Sequence, residues 1–259
     1  MRWGLSVSLS GELAEPASVA EVAAVAEGAG WDGVFVWDHL WNRTGLPFAD
    51  PFVTLAAVAS ASRRVRIGTM VTALPRRRPQ LVAQAATSID RLSNGRMVLG
   101  LGLGVDSYGE YSSFAEPAGD DRARGAALDA GIDALLPMLE AKPVPSAGGR
   151  VTTAPGVQQP RLPIWIAART GRSAGPRRVE RHGLEGLALV NAEVWSAHHV
   201  AGALDAGTLT AGTIDVILVG GSHPDPDALA DAGATWCMPE VLPGATLGEA
   251  MDAARTSPV

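Results

Sequence analysis

The sequence predicts an α/β protein, a closed (β/α)8 TIM barrel formed by a single domain over residues 1–259. Three observations lead there. Short apolar runs alternate with helix-period segments along the whole chain, and there are eight such pairs. Eight strand–helix units in a chain of 259 residues fit the usual size of this barrel. No strand opens on a dinucleotide-binding glycine fingerprint, which disfavours the competing doubly wound open sheet.

The elements follow in order. "WGLSVSL" is the first strand. In the helix "PASVAEVAAVAEGAG", Val19, Val22, Ala23 and Ala26 recur at helical spacing, and Gly28 and Gly30 mark its end. "GVFVW" is the second strand, followed by "DPFVTLAAVASAS" with Asp50 as N-cap and Pro51 at the first helical position. "VRIGTMVTAL" precedes the helix "PQLVAQAATSIDRLS", which stops at Asn94-Gly95, and "RMVLGLGLG" precedes a helix over about 122–139. Residues 140–163 are rich in proline and glycine and form an excursion between the fourth helix and the fifth strand. "PIWIAA", "GLALVN", "TIDVILVGG" and "ATWCMPEVL" are the remaining strands. Helices follow them near 173–182 and 195–205, in "PDPDALADAG" and in "TLGEAMDAAR".

Composition narrows the class. The chain is 47% hydrophobic, as in a well-buried globular protein. A formal charge of −6 offers no basic bias toward nucleic acid. No apolar run reaches membrane-spanning length and no long apolar leader is present, so a cytoplasmic protein without a membrane partner is expected. Cys237 is alone, which rules out an intrachain disulfide.

In a barrel of this kind, functional groups come from the C-terminal ends of the strands. That rule selects Ser8 and Ser10, Asp38 and His39, Thr69 to Thr72 with "PRRRP", "GLGLGVDSYGE", "AARTGRS", Asn191, "GGSH" and Glu240. The strongest signal is "VFVWDHLW". An apolar strand there ends on Asp38 and His39 between Trp37 and Trp41, although a charge is costly to bury without partners. A histidine at the rim of an apolar pocket can move a proton near neutral pH. The alternative is a capping Asp beside a packed His.

Gly100, Gly102 and Gly104 leave one face of the fourth strand bare, for a flat ligand or for a tight interior. Arg76, Arg77 and Arg78 precede a helix N-terminus and suit phosphate or carboxylate, with a solvated basic loop slightly favoured. Arg169, Thr170, Gly171 and Ser173 repeat that theme after the fifth strand. No residue cluster has metal-ligand spacing, and Ser107, Ser112 and Ser113 lack a nucleophile elbow.

Taken together, "AEGAGWDGVFVWDHLW", the run from "DPFVTLAAVASAS" through "DRLSNGRMVLGLGLG", and "QQPRLPIWIAA" resemble the bacterial luciferase-like family. These are flavin- or F420-dependent oxidoreductases and monooxygenases on a (β/α)8 barrel. The likeness is close from the N-terminus to about Gly104 and returns from Pro160 to about Leu189. It implies that Asp38 and His39 lie against the ring of the cofactor, with His39 in proton transfer.

It further implies a non-proline cis peptide at Met70-Val71. Met70, Val71, Thr72, Gly102 and Gly104 would cradle the ring, and Ala168, Arg169 and Thr170 would hold the cofactor phosphate. Ser8, Trp37, Trp41, Asn191 and Glu240 would line the substrate pocket. "WDH" and "PRRRP" resemble the F420-using branch, so F420 is preferred over FMN. The implied partners are a small organic substrate, a separate flavin or F420 reductase, and a second copy in a homodimer.

The sequence departs from the family pattern in three places. Val105-Asp106 stand where some relatives have a glutamate after the fourth-strand glycines, which counts against an alcohol-oxidising proton relay. The 140–163 excursion is shortened, which implies an open pocket. Ala167-Ala168 replace paired glycines and are expected to crowd the phosphate region. All three also fit a non-catalytic relative that binds a flavin or another ligand without turnover.

Overall fold

The computed structural model describes residues 1–40, 45–114 and 120–256. Its strands are β1 Arg2–Val7, β2 Gly33–Val36, β3 Arg66–Ala73, β4 Met97–Gly102, β5 Val144–Ser146, β6 Gly149–Val151, β7 Ile164–Arg169, β8 Gly186–Val190, β9 Asp215–Val219, β10 Trp236–Met238 and β11 Glu240–Val241. Apart from β5 and β6, which form a separate antiparallel hairpin, all run parallel and close on themselves. Closure comes from β1, which pairs with β2 on one side and with β10 and β11 on the other. The eighth barrel position is thus shared by β10 and β11.

The helices are α1 Pro16–Gly28, α2 Pro51–Ala61, α3 Pro79–Leu92, α4 Asp121–Leu139, α5 Ala174–His182, α6 Ala197–Ala206, α7 Pro226–Asp231 and α8 Leu247–Arg255. Every expected strand–helix pair is present. The Asp50 carboxylate accepts the N–H groups of Phe52 and Val53 at 2.9 and 3.1 Å, capping α2 as its sequence predicts.

The N-terminal half of the barrel interior is plugged by aromatics. Phe35 stacks on Trp165 with ring centroids 5.2 Å apart and meets Trp236 edge-on at 5.8 Å. Glycines on the same and on neighbouring strands leave room for these rings. A Cβ at Gly33 would lie 2.6 Å from Phe35, and one at Gly186 would lie 2.2 Å from Trp165. With that end filled, open space remains at the C-terminal mouth.

The sequence run "DRLSNGR" turns out to hold the closed end together. The Arg96 guanidinium, buried, donates to the carbonyls of Ala59, Ser62, Val65 and Ser93. Asp90, fully buried, accepts from Val157 N at 2.6 Å, Gln158 N at 3.0 Å and Gln158 Nε2 at 2.7 Å. Gln158 also donates to Met97 O at 2.7 Å and accepts from Arg66 Nη1 at 2.8 Å, where β4 and β3 begin. The excursion over 140–163 is therefore anchored at the end of the barrel opposite the mouth.

Candidate active site at the barrel mouth

β2 ends at Val36, and the residues just after it project into the mouth. Asp38 is buried, and Arg77 grips its carboxylate with Nε to Oδ2 at 2.7 Å and Nη2 to Oδ1 at 2.8 Å. Arg76 donates through Nη2 to the Asp38 carbonyl at 2.6 Å. Both arginines come from the short 3-10 turn and its cap after β3, the strand next to β2. Burial disfavours the Arg77 charge, but the Asp38 hydrogen bonds and the charges of Asp38 and Asp50 outweigh it and raise its affinity for the proton. The "PRRRP" pair Arg76-Arg77 is thus neither a phosphate site nor a solvated loop. It clamps the aspartate, as planar guanidinium forks do well.

His39 points the other way, along the cavity. Its Nδ1 lies 3.0 Å from Glu110 Oε1, and the same carboxylate accepts Leu40 N at 2.7 Å and faces Arg76 Nη1 at 3.2 Å. The Glu110 side chain is 1% exposed. Burial opposes its charge, but the His39 hydrogen bond, the charges of His39 and Arg76 and the Leu40 N–H together hold its pKa below the usual glutamate value. An ionised carboxylate only accepts, so Nδ1 of His39 carries the proton and Nε2 is left for the cavity the ring lines.

Glu110 is the site residue that sequence reasoning missed. It lies within "GLGLGVDSYGE", yet attention fell on Val105-Asp106 directly after the glycines. Val105 lines the cavity, while the Asp106 carboxylate accepts the N–H groups of Tyr111 and Ser112 at 2.9 and 3.1 Å. That turn carries Glu110 back over β2. A carboxylate thus reaches His39 from further along the loop.

The cavity has a volume of about 630 Å³ and gathers most of the predicted residues. Trp37, Asp38, His39, Met70, Val71, Gly102, Gly104, Ala168, Arg169, Asn191 and Glu240 all line it. Three do not. Ser8 is buried against Ser10, their hydroxyls 3.1 Å apart, and Thr72 is fully buried next to Val71. Thr170 ties its N–H to the Val190 carbonyl at 3.4 Å. Trp41 lies outside the described residues.

The Met70-Val71 peptide is cis, as the resemblance implied, and the β3–β4 register shifts between Thr69 and Thr72. The fourth-strand glycines divide between the two readings. A Cβ at Gly100 would sit 2.1 Å from Thr69 O, so that glycine admits the backbone of β3. Gly102 and Gly104 border the cavity itself, Gly104 with φ +67°.

The remaining walls are electrically unlike. Arg169 and Arg172 follow β7, Arg122 opens α4, and all three are exposed with no ion-pair partner among the described residues. The N-terminus of α5 lies beside them, and its N-cap Ser173 makes no side-chain capping bond. Ala167 lines the cavity here, as does Ala168. The Ala168 methyl packs on Gly175 of α5, where an added Cβ would lie 2.3 Å away. Across the mouth, Glu240 lies at the start of β11, and burial raises its pKa above the usual glutamate value.

Comparison with known proteins agrees with this architecture. The F420-dependent glucose-6-phosphate dehydrogenase of Beutenbergia cavernae is 41% identical over 123 residues, covering 46% of this chain and 36% of that protein. The oxygenase component of the flavin-dependent trigonelline monooxygenase of Acinetobacter baylyi is 30% identical over 159 residues, covering 59% and 43%. The chain thus spans less than half the length of these curated relatives. The F420-dependent tetrahydromethanopterin reductase of Methanopyrus kandleri superposes with a TM-score of 0.73 at 14% identity, covering 98% of this chain and 97% of that one, which establishes the fold. The model of the luciferase-like monooxygenase family matches residues 3–184, and the chain belongs to that family.

Proposed function

We propose that the chain is an oxidoreductase that binds coenzyme F420 at the barrel mouth and exchanges a hydride with a small organic substrate. FMN is the second cofactor the same mouth would admit. The observation that carries the reading is the His39–Glu110 pair. It sets a histidine of fixed tautomer in a cavity whose far corner holds unpaired arginines and an uncapped helix N-terminus.

The residues present fit such a cofactor. Arg169, Arg172 and the α5 N-terminus suit an anionic tail. The wall formed by Met70, Val71, Gly102 and Gly104, low in polar side chains, suits a flat ring. Three free arginines favour the more highly charged tail of F420 over the single phosphate of FMN. When bound, the cofactor supplies the hydride chemistry.

The chain's own contributions are positional and electrostatic. Glu110 orients His39 through Nδ1, so that Nε2 can accept or return a proton beside the reacting centre. Arg77 and Arg76 neutralise Asp38 and Glu110, leaving this wall without a net charge to repel an incoming anion. Against a non-catalytic relative, Glu110 places a carboxylate on His39 and the Ala168 methyl packs on Gly175. The homodimer and a separate reductase remain part of the proposal. Exposed Val53 and Leu81 on the adjacent helices α2 and α3 support self-association.

Fluorescence titration with oxidised F420 and FMN tests the reading. F420 is expected to bind the wild type and, within about threefold, His39→Ala. Turnover by His39→Ala with any accepted substrate should fall about 10²–10⁴-fold, the usual worth of a positioned acid–base group. Binding of neither cofactor overturns the proposal, and binding of FMN alone reverses the cofactor preference.

A further inference from the structure

Glu240 takes no part in the chemistry described so far, yet its position is built. The chain passes through two left-handed glycines after β9, Gly220 at φ +66° and Gly221 at φ +64°. A Cβ at Gly220 would lie 2.2 Å from Glu240 Oε2, so the carboxylate rests on bare backbone. That backbone is itself fixed. Gly220 N donates to Met238 O at 2.9 Å, and Trp195 Nε1 donates to Gly220 O at 2.6 Å.

No hydrogen-bond donor or cation meets the Glu240 carboxylate among the described residues. It shares the cavity wall with Val219 at the end of β9, the strand that leads into Gly220. The Trp37 indole N–H is already spent on Ser6 Oγ at 2.8 Å, on the β1 residue that pairs with Glu240. The other acidic groups of the mouth, Asp38, Glu110 and Asp121, are paired with Arg77, Arg76 and Arg124. The free arginines stand on the β7–α5 and β4–α4 sides, three and four strand positions from β11 around the barrel. Glu240 is therefore the one uncompensated anion lining the cavity among the described residues.

We propose that Glu240 is a specificity-determining residue that selects substrates carrying a protonated amine, held against β11 while the cofactor occupies the β3–β4–β7 side. The assignment of sides rests on the proposed cofactor reading. The carboxylate itself does not. A partly desolvated carboxylate without a partner gains most from a ligand that brings both charge and N–H donors, because a charge-assisted hydrogen bond is about twice as strong as a neutral one. An alcohol supplies one neutral donor, and a carboxylate ligand meets like charge. The raised pKa of Glu240 agrees with this, since it reflects burial without compensation.

The test uses three probes of one shape: benzylamine, benzyl alcohol and benzoate. Their binding to the intact chain is measured by ligand-observed NMR at neutral pH, for wild type, E240Q and E240D. Benzylamine is expected to bind the wild type at least tenfold more tightly than benzyl alcohol, with benzoate weakest. In E240Q the amine preference should collapse to within about twofold. E240D keeps the charge and should retain part of the preference, which guards against a folding defect in E240Q. An alcohol bound as tightly as the amine by the wild type overturns the proposal, as does an amine preference that survives in E240Q. F420 titration of the same three proteins is read separately. Failure of all three to bind F420 speaks against the cofactor reading, and leaves the amine result to stand or fall alone.

Discussion

The two acidic walls of the mouth are built on opposite plans. On the β2–β3 side, Asp38 and Glu110 are each nearly inaccessible, with side chains 1% exposed, and each is met by guanidinium, imidazole or backbone N–H groups. On the β11 side, Glu240 rests on the bare backbone of Gly220, and no hydrogen-bond donor or cation meets its carboxylate among the described residues. The same side-chain chemistry therefore reads in opposite directions: the Glu110 pKa is lowered and the Glu240 pKa is raised. A paired carboxylate serves as structure that fixes a neighbour. An unpaired one at a cavity wall is held ready for something that is not yet there.

Substitutions can break this contrast, and they rank by how much charge each leaves unpaired. Arg77→Ala should cost the most. It removes both hydrogen bonds to buried Asp38, and stranding a buried charge typically costs about 3–5 kcal/mol. Urea unfolding checks this, with an unchanged midpoint as the contrary result. Glu110→Gln should cost about 1–3 kcal/mol, because Arg76 loses one of its two ionic partners and the His39 contact loses its charge assistance.

The pH dependence of Glu110→Gln sharpens the comparison. A carboxylate whose folded pKa is depressed contributes stability above its unfolded pKa and loses it as pH falls through the folded one. The wild type should therefore lose this advantage over Glu110→Gln below the ordinary glutamate value. Melting curves of both proteins across the acid range measure it. Glu240→Gln should have the smallest effect and the opposite sign. Its folded pKa is raised, so at neutral pH the ionised form is a cost. The variant should be slightly more stable there, by under about 1 kcal/mol, with the gain fading as acid protonates the wild type.

The contrast also explains what could be read from sequence. The barrel was legible because strand and helix periods repeat eight times, and tertiary packing had no reason to override them. Asp38 and His39 were legible because both interrupt an apolar run at a strand end. Glu110 was not, because it comes from a loop, and no period fixes how many residues separate a strand end from the side chain that turns back. Arg76 and Arg77 were ambiguous for a chemical reason: a guanidinium fork suits a phosphate and a carboxylate alike, and only the fold brings Asp38 to it.

Thr72 shows the cost of naming consecutive residues on a strand, since Val71 lines the cavity and its neighbour is buried elsewhere. The run "DRLSNGR" carried the strongest resemblance, yet it ties down the closed end, through Asp90 and Arg96. A specific motif can mark the fold more than the site.

One measurement reads both walls at once. In protein labelled with ¹³C at glutamate side-chain carboxyls, NMR titration assigns each midpoint, with Glu110→Gln and Glu240→Gln identifying the two signals. The account predicts Glu110 below the ordinary glutamate value of about 4.3 and Glu240 above it. Midpoints in the reverse order, or two that coincide, would contradict it.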